Sequence, residues 1–137
     1  EANYLPFAIL NDLKILLNFE MDSKDNVILL LVGQKTFLNT LSLKSNESLK
    51  QRVSINYNLG PLTKDEARYY IDQKLQAAGL NTPIMSIEAY NQIINAANGV
   101  PRVINQVMDK ALLLLCNSKG TEITETMAME AINEVSL

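Results

Sequence analysis

The chain has 137 residues, of which 47% are hydrophobic and 20% charged, and its formal net charge is −3. These values are ordinary for a globular domain, while the acidic balance and the scattered Lys and Arg residues argue against a nucleic-acid-binding surface on this chain. Histidine is absent and Cys116 is the single cysteine, which excludes a Ser-His-Asp triad and an internal disulfide. Because Cys116 ends a leucine run, we predict that it is buried.

Residues 1–60 have the pattern of an α/β lobe. A helix is predicted over residues 4–19, where apolar side chains recur on one face and Pro6 suits the first turn. Residues 27–32 form an unbroken apolar run of strand length, which is typical of a buried strand in a parallel sheet. A short helix at 35–43 and a second strand at 54–58 follow. Since two strands do not make a stable sheet by themselves, we expect only part of an α/β sheet here.

Residues 61–137 are predicted to be entirely helical. Thr63 and Glu66 have the spacing of a capping box, which opens the first of four helices. The second helix begins at Ser86 and ends at Gly99, the third runs from Pro101 to about residue 117, and the last spans 124–135 with Thr124 as its cap. On the second helix the expected inward positions are Tyr90, Ile93, Ile94 and Ala97. The pattern predicts a four-helix bundle that buries its own core.

Six short sequence blocks occur in an order that resembles a known family. They are Glu1-Ala2-Asn3-Tyr4-Leu5, Leu16-Leu17-Asn18-Phe19-Glu20, Leu31-Val32-Gly33-Gln34, Gln51-Arg52-Val53, Leu59-Gly60-Pro61-Leu62 and Gly99-Val100-Pro101-Arg102-Val103-Ile104-Asn105. In this order they resemble the AAA+ ATPases of the general secretion pathway protein A type, whose relatives include transposition regulators such as the phage Mu B protein. The resemblance covers nearly the whole chain. It implies a partial P-loop NTPase parallel sheet, two strands with helices, in residues 1–60, which would be the C-terminal part of the nucleotide-binding subdomain. Residues 61–137 would be the helical AAA+ lid.

The resemblance assigns catalytic roles to three residues of the first lobe. Glu1 matches the acidic residue that closes a Walker B strand, where a carboxylate orients and deprotonates the attacking water. Gln34 falls in the sensor 1 region, which helps to hold that water, although Asn, Thr or Ser is commoner there. Arg52 matches an arginine finger, which reaches the nucleotide of a neighbouring subunit and therefore requires head-to-tail oligomers. The alternatives are a chance terminal glutamate for Glu1 and a turn amide for Gln34. For Arg52 they are a surface arginine or one that pairs with an acidic neighbour.

A nucleotide-binding role is predicted for Arg102, together with Gly99 and Pro101. Gly99 permits a sharp turn, and Pro101 starts the helix whose first turn carries Arg102. The helix dipole disfavours a cation at this end, so we expect another group to compensate, and a phosphate would do so. By resemblance Arg102 is the sensor 2 residue. The alternative is an ordinary arginine at a helix start. Asn105, one turn later, is predicted to orient Arg102.

These residues predict the C-terminal portion of an AAA+ ATPase that couples ATP hydrolysis to conformational change in general secretion pathway assembly. The full-length protein would use ATP and Mg²⁺, form a homo-oligomer and contact inner-membrane secretion proteins from the cytoplasm. This fragment, which lacks a Gly-x-x-x-x-Gly-Lys-Ser/Thr loop, is predicted to be inactive alone, with no bound cofactor and no metal ligands. The alternatives are a DNA-binding ATPase that regulates transposition and a non-catalytic helical interaction module.

Overall fold

The computed structural model describes residues 1–17, 27–80 and 82–135. Within these ranges it contains seven α-helices: α1 (Phe7–Leu16), α2 (Thr36–Leu41), α3 (Glu47–Lys50), α4 (Lys64–Ala77), α5 (Ile87–Ala97), α6 (Pro101–Ser118) and α7 (Glu125–Val135). The chain forms two compact units, Glu1–Leu59 and Gly60–Leu137. In the described ranges, none of the helices is both long enough and apolar enough to cross a membrane.

The first unit is built on a small core. A 3₁₀ turn, Ala2–Tyr4, precedes α1, and a second one, Lys44–Asn46, precedes α3. The buried core residues are Ala2, Leu10, Phe37 and Leu49, with Leu5, Leu13, Leu17, Leu31 and Leu41 packed around them. The helix predicted over 4–19 begins only at Phe7, because Pro6 has β-region dihedrals and is its N-cap. The last two residues of that prediction, 18 and 19, lie outside the described residues.

The parallel sheet predicted for residues 1–60 is wrong. The described part of this unit contains helices and 3₁₀ turns but no strand. Ile28 is 98% exposed and Leu30 82%, and in the second predicted strand Ile55 is 87% exposed. A strand exists only where its backbone pairs with a neighbouring backbone, and within the described ranges no backbone hydrogen bond joins residues 27–32 to 54–58. An apolar run indicates that burial of the segment would be favourable, but it does not show which other segment its backbone would pair with.

The second unit contains the four helices predicted for residues 61–137. Thr63 and Glu66 form the expected reciprocal capping box at the start of α4, and the Ser86 hydroxyl accepts a hydrogen bond from the Ala89 amide at the start of α5. The predicted inner face of α5 is confirmed, since Tyr90, Ile93, Ile94 and Ala97 are all buried. Each start signal therefore acts as the local sequence predicts.

The core of the second unit lies among α4, α5, α6 and α7, with α7 packed against both α5 and α6. The loops before α5 and α7 meet in one isolated parallel bridge between Met85 and Ile123. Ile93, Ile104 and Ile123 are completely buried, and burying a side chain of this size stabilises a fold by about 1.5–3 kcal/mol. This unit therefore has a larger core than the first one.

The prediction that Cys116 is buried is wrong, because the side chain is exposed. The buried stripe of α6 consists of Ile104, Val107, Met108 and Ala111. Residue 115 lies one turn beyond Ala111 on that stripe, and residue 116 is rotated about 100° further around the helix. Cys116 therefore faces away from the core although the four residues before it, 112–115, are leucines.

Candidate functional site

The segments that carry Glu1 and Gln34 lie side by side in the first unit. The Ala2 amide donates to the Val32 carbonyl at 2.8 Å, and the Gln34 amide donates to Asn3 Oδ1 at 3.3 Å. These two hydrogen bonds join positions about thirty residues apart in sequence. The predicted catalytic carboxylate and the predicted sensor amide are thus on adjacent stretches of backbone.

Gly33 allows these two segments to approach. A Cβ atom at this position would lie 3.2 Å from the Asn3 amide nitrogen and 3.3 Å from the Ala2 nitrogen, which is tighter than ordinary van der Waals contact. A side chain at residue 33 would therefore push the Glu1 segment away from Gln34. The Glu1 and Gln34 side chains are both exposed, so a small polar molecule can reach them from solvent.

Arg52 follows α3 and is half-buried. Its Nη1 donates to the Ser48 carbonyl at 3.1 Å, and its backbone amide donates to the Leu49 carbonyl at 3.1 Å. The guanidinium is therefore held against the C-terminal end of its own short helix, where carbonyl groups without helical partners favour a cation. The predicted role as an arginine finger requires a second subunit and stays a prediction.

Arg102 occupies the first turn of α6 in the second unit. Gly99 adopts a φ of +71°, and Pro101 is the first helical residue, as the sequence predicts. The first turn, residues 101–104, is Pro-Arg-Val-Ile, so it supplies no carboxylate, and Val100 gives no side-chain cap. Arg102 is exposed and has no hydrogen-bond or ion-pair partner in the described ranges. The guanidinium and the free amides of this helix end together favour an anion.

The turn before α6 is in direct contact with the segment that enters α4. The Leu62 amide donates to the Gly99 carbonyl at 2.8 Å, and a Cβ at Gly99 would lie only 2.1 Å from the Leu62 carbonyl oxygen. Glycine is therefore required at residue 99 for two reasons, the positive φ and the close approach of Leu62. The prediction of a sharp turn at Gly99 is confirmed, and the contact with Leu62 is a feature that only the fold shows.

Asn105 makes a contact that the sequence did not indicate. Its Oδ1 accepts a hydrogen bond from the Tyr70 hydroxyl of α4 at 3.1 Å, so the side chain connects two helices. Tyr70, Asn105, Lys74 and Asp109 are the polar side chains of a groove between α4 and α6, with a volume of about 350 Å³ and an otherwise apolar lining. The position of Tyr70 beside Asn105 has no sequence signal, because the contact joins residues on different helices.

The predicted site residues thus fall into two groups. Glu1, Gln34 and Arg52 belong to the first unit, where the segments of Glu1 and Gln34 are adjacent. Gly99, Pro101 and Arg102 belong to the second unit. Convergence of both groups on one nucleotide remains a prediction. In the ranges that the structure describes, no three Asp, Glu, His or Cys side chains come together in a metal-binding arrangement.

Comparison with known proteins relates the chain to a secretion protein. It is 33% identical over 113 residues to General secretion pathway protein A of Aeromonas hydrophila. The aligned region covers 82% of this chain and 21% of that protein. It is 24% identical over 119 residues to an uncharacterized HTH-type transcriptional regulator of Methanocaldococcus jannaschii, covering 83% of this chain and 29% of that protein. No family model and no solved structure matches. The chain therefore spans less than a third of the length of either relative.

Proposed function

We propose that this chain is the C-terminal portion of an AAA+ ATPase that couples ATP binding and hydrolysis to conformational change in general secretion pathway assembly. The observation that supports this best is the pairing of the Glu1 and Gln34 segments through Ala2 and Asn3. The similarity to General secretion pathway protein A points in the same direction. Because the chain spans 21% of that relative, the activity is proposed for a longer protein that includes this chain.

In this proposal the first unit holds and activates the attacking water. The Glu1 carboxylate takes a proton from the water as it approaches the γ-phosphorus of ATP. The Gln34 amide, on the adjacent segment, donates a hydrogen bond that keeps the water in place. Mg²⁺ neutralises phosphate charge when it is bound. Since the described residues offer no cluster of metal ligands, we assign no residue of this chain to it.

The second unit contributes Arg102 to the nucleotide. The guanidinium is exposed and lies at a helix end that carries no acidic side chain in its first turn. A phosphate group would therefore gain a charge-assisted hydrogen bond there without first displacing a protein carboxylate. Loss of the γ-phosphate would weaken that bond and release the helix, which is how hydrolysis would become a movement of the lid.

Assembly and location follow from the same proposal. Arg52 would act on ATP bound to a neighbouring copy, so the active form would be a homo-oligomer with head-to-tail contacts. The protein would act in the cytoplasm, with the longer form associated with secretion proteins of the inner membrane. Arg52→Ala should then remove hydrolysis in the oligomer while leaving ATP binding to each subunit intact.

The decisive experiment is Arg102→Ala in the longer ATPase. We expect turnover to fall at least about tenfold, a loss of about 1.4 kcal/mol of transition-state stabilisation. Lys64→Ala is the matched control, because Lys64 is another exposed cation in the first turn of a helix of the same unit. Turnover that is unchanged in Arg102→Ala, or equally reduced in both variants, would contradict the proposal.

A calorimetric titration with ATP tests whether this chain alone contains a complete nucleotide site. The chain lacks a Gly-x-x-x-x-Gly-Lys-Ser/Thr loop, which in such ATPases surrounds the phosphates with backbone amides. We therefore expect no ATP binding in the micromolar range. Binding of that strength would show that the chain contains a complete nucleotide site, contrary to the proposed role.

The alternative is a DNA-binding ATPase that regulates transposition, and the similarity to a protein named as a transcriptional regulator is compatible with it. The net charge of −3 argues against this chain as the DNA-binding part. A DNA affinity of the longer protein that falls steeply with salt would favour this alternative. If no ATPase activity can be found in the longer protein, the non-catalytic interaction module becomes the better description.

A further inference from the structure

Arg102 lies between two points at which α6 is attached to the rest of its unit. Three residues before it, the Gly99 carbonyl accepts a hydrogen bond from the Leu62 amide at 2.8 Å. Three residues after it, Asn105 Oδ1 accepts a hydrogen bond from the Tyr70 hydroxyl at 3.1 Å. The interval contains less than two turns of helix, so Arg102 cannot change its backbone position unless one of the two contacts changes.

The partners in these two contacts belong to one continuous stretch of chain. Leu62 lies immediately before α4 and Tyr70 lies on it. Tyr70, Leu62 and Asn105 are half-buried, so water competes only partly for their hydrogen bonds. The two contacts therefore fix the first turn of α6 against α4 and the segment that leads into it.

We propose that Tyr70, acting through Asn105, is a positioning residue for Arg102, with the Leu62–Gly99 contact as its counterpart at the other end of the turn. This inference rests on the nucleotide-binding role of Arg102 in the proposed function. The two contacts hold the helix backbone while the guanidinium remains exposed and unpaired in the described ranges. A preorganised backbone loses less conformational freedom when Arg102 binds an anion, and binding is tighter for that reason.

The first test uses amide hydrogen exchange in this chain. Tyr70→Phe removes only the hydroxyl, and Tyr69→Phe is the matched control, because Tyr69 is the adjacent residue and 66% exposed. We expect Tyr70→Phe to speed exchange of the Leu62 and Ile104 amides about fivefold relative to amides in the middle of α5. Tyr69→Phe should change neither group. An equal increase across the unit, or no increase, would overturn the inference.

A conservative substitution distinguishes positioning from general stability. Asn105→Asp keeps an oxygen that accepts from Tyr70, whereas Asn105→Ala removes it. Protection of the Ile104 amide should therefore be retained in Asn105→Asp and lost in Asn105→Ala. Loss of protection in both variants to the same extent would show that the Tyr70 hydrogen bond is not what holds the turn.

The second test separates this inference from the proposed function. In the longer ATPase, Tyr70→Phe should raise the KM for ATP about fivefold in the presence of Arg102 and should have no further effect in Arg102→Ala. Additive effects of the two substitutions would overturn the positioning role and leave the role of Arg102 intact. If Arg102→Ala alone changes neither KM nor kcat, the proposed function fails, and the positioning role fails with it.

Discussion

Replacing Gly99 with alanine should destabilise the second unit far more than the same change at Gly79. Both glycines have a positive φ, +71° at Gly99 and +89° at Gly79. A non-glycine residue in that region costs about 1–2 kcal/mol. A Cβ at Gly79 would meet nothing within 4 Å, whereas one at Gly99 would lie 2.1 Å from the Leu62 carbonyl oxygen and 2.8 Å from its nitrogen.

The extra cost at Gly99 comes from the hydrogen bond that must be given up. Relief of the contact requires Leu62 to move away, which breaks its 2.8 Å hydrogen bond to the Gly99 carbonyl. Leaving a buried polar group without a partner costs about 1–3 kcal/mol. The total for Gly99→Ala is then about 2–5 kcal/mol, against about 1–2 kcal/mol for Gly79→Ala. The free energy of unfolding of a domain is about 5–15 kcal/mol, so the cost of Gly99→Ala is a substantial fraction of it.

Urea unfolding followed by circular dichroism measures the free energies of unfolding of Gly99→Ala and Gly79→Ala. Amide exchange in α5 reports on global opening of the second unit alone, which separates it from the first unit. The Leu62 amide should lose protection in Gly99→Ala and keep it in Gly79→Ala. Equal destabilisation by the two substitutions, with Leu62 still protected, would refute the steric argument.

Three further expectations concern single side chains. Burial, with the hydrogen bond that Tyr90 donates to Asp72, raises the pKa of Tyr90 to about 12 from 10.0. The contribution of Tyr90 to the free energy of unfolding should be complete below pH 10 and be lost as the pH rises through about 12. Ultraviolet titration would follow the ionisation of Tyr90, and Tyr90→Phe should remove this pH dependence of the free energy of unfolding. Thr63→Ala should cost about 1 kcal/mol in urea unfolding through loss of the α4 cap, and Thr63→Ser should not. Exposed Cys116 should react with a maleimide in the folded chain as fast as in urea, and strong protection would contradict its exposure.

The helices of the second unit could be predicted because their signals are local. Thr63 and Glu66 are three residues apart and satisfy each other's hydrogen bonds at the start of α4. At the start of α5 the Ser86 hydroxyl accepts a hydrogen bond from the Ala89 amide, which is also three residues further on. Helical hydrogen bonds join residues four apart, so a short window of sequence contains both partners. Cys116 shows the limit of such reasoning, since the face of α6 that is buried depends on which helices pack against it.

The sequence proposes residues for the candidate site but does not predict their contacts. Resemblance to a family predicts roles for Glu1 and Gln34, whereas the hydrogen bonds that join their segments through Ala2 and Asn3 appear only in the fold. Nothing near Tyr70 in sequence distinguishes a tyrosine that donates a hydrogen bond to Asn105 from one that is merely buried. Side-chain partners on different helices leave no periodic trace in a single sequence.

By itself, the sequence determined where the helices of residues 61–137 begin, which face of α5 is buried, and that Gly99 forms a turn before Arg102. Tertiary structure decided what residues 27–32 and 54–58 become and which segment lies against Gly99. The physical reason is the reach of the interactions. A helix supplies its own hydrogen-bond partners, whereas a strand and a close backbone contact depend on a second stretch of chain that must be brought to the same place.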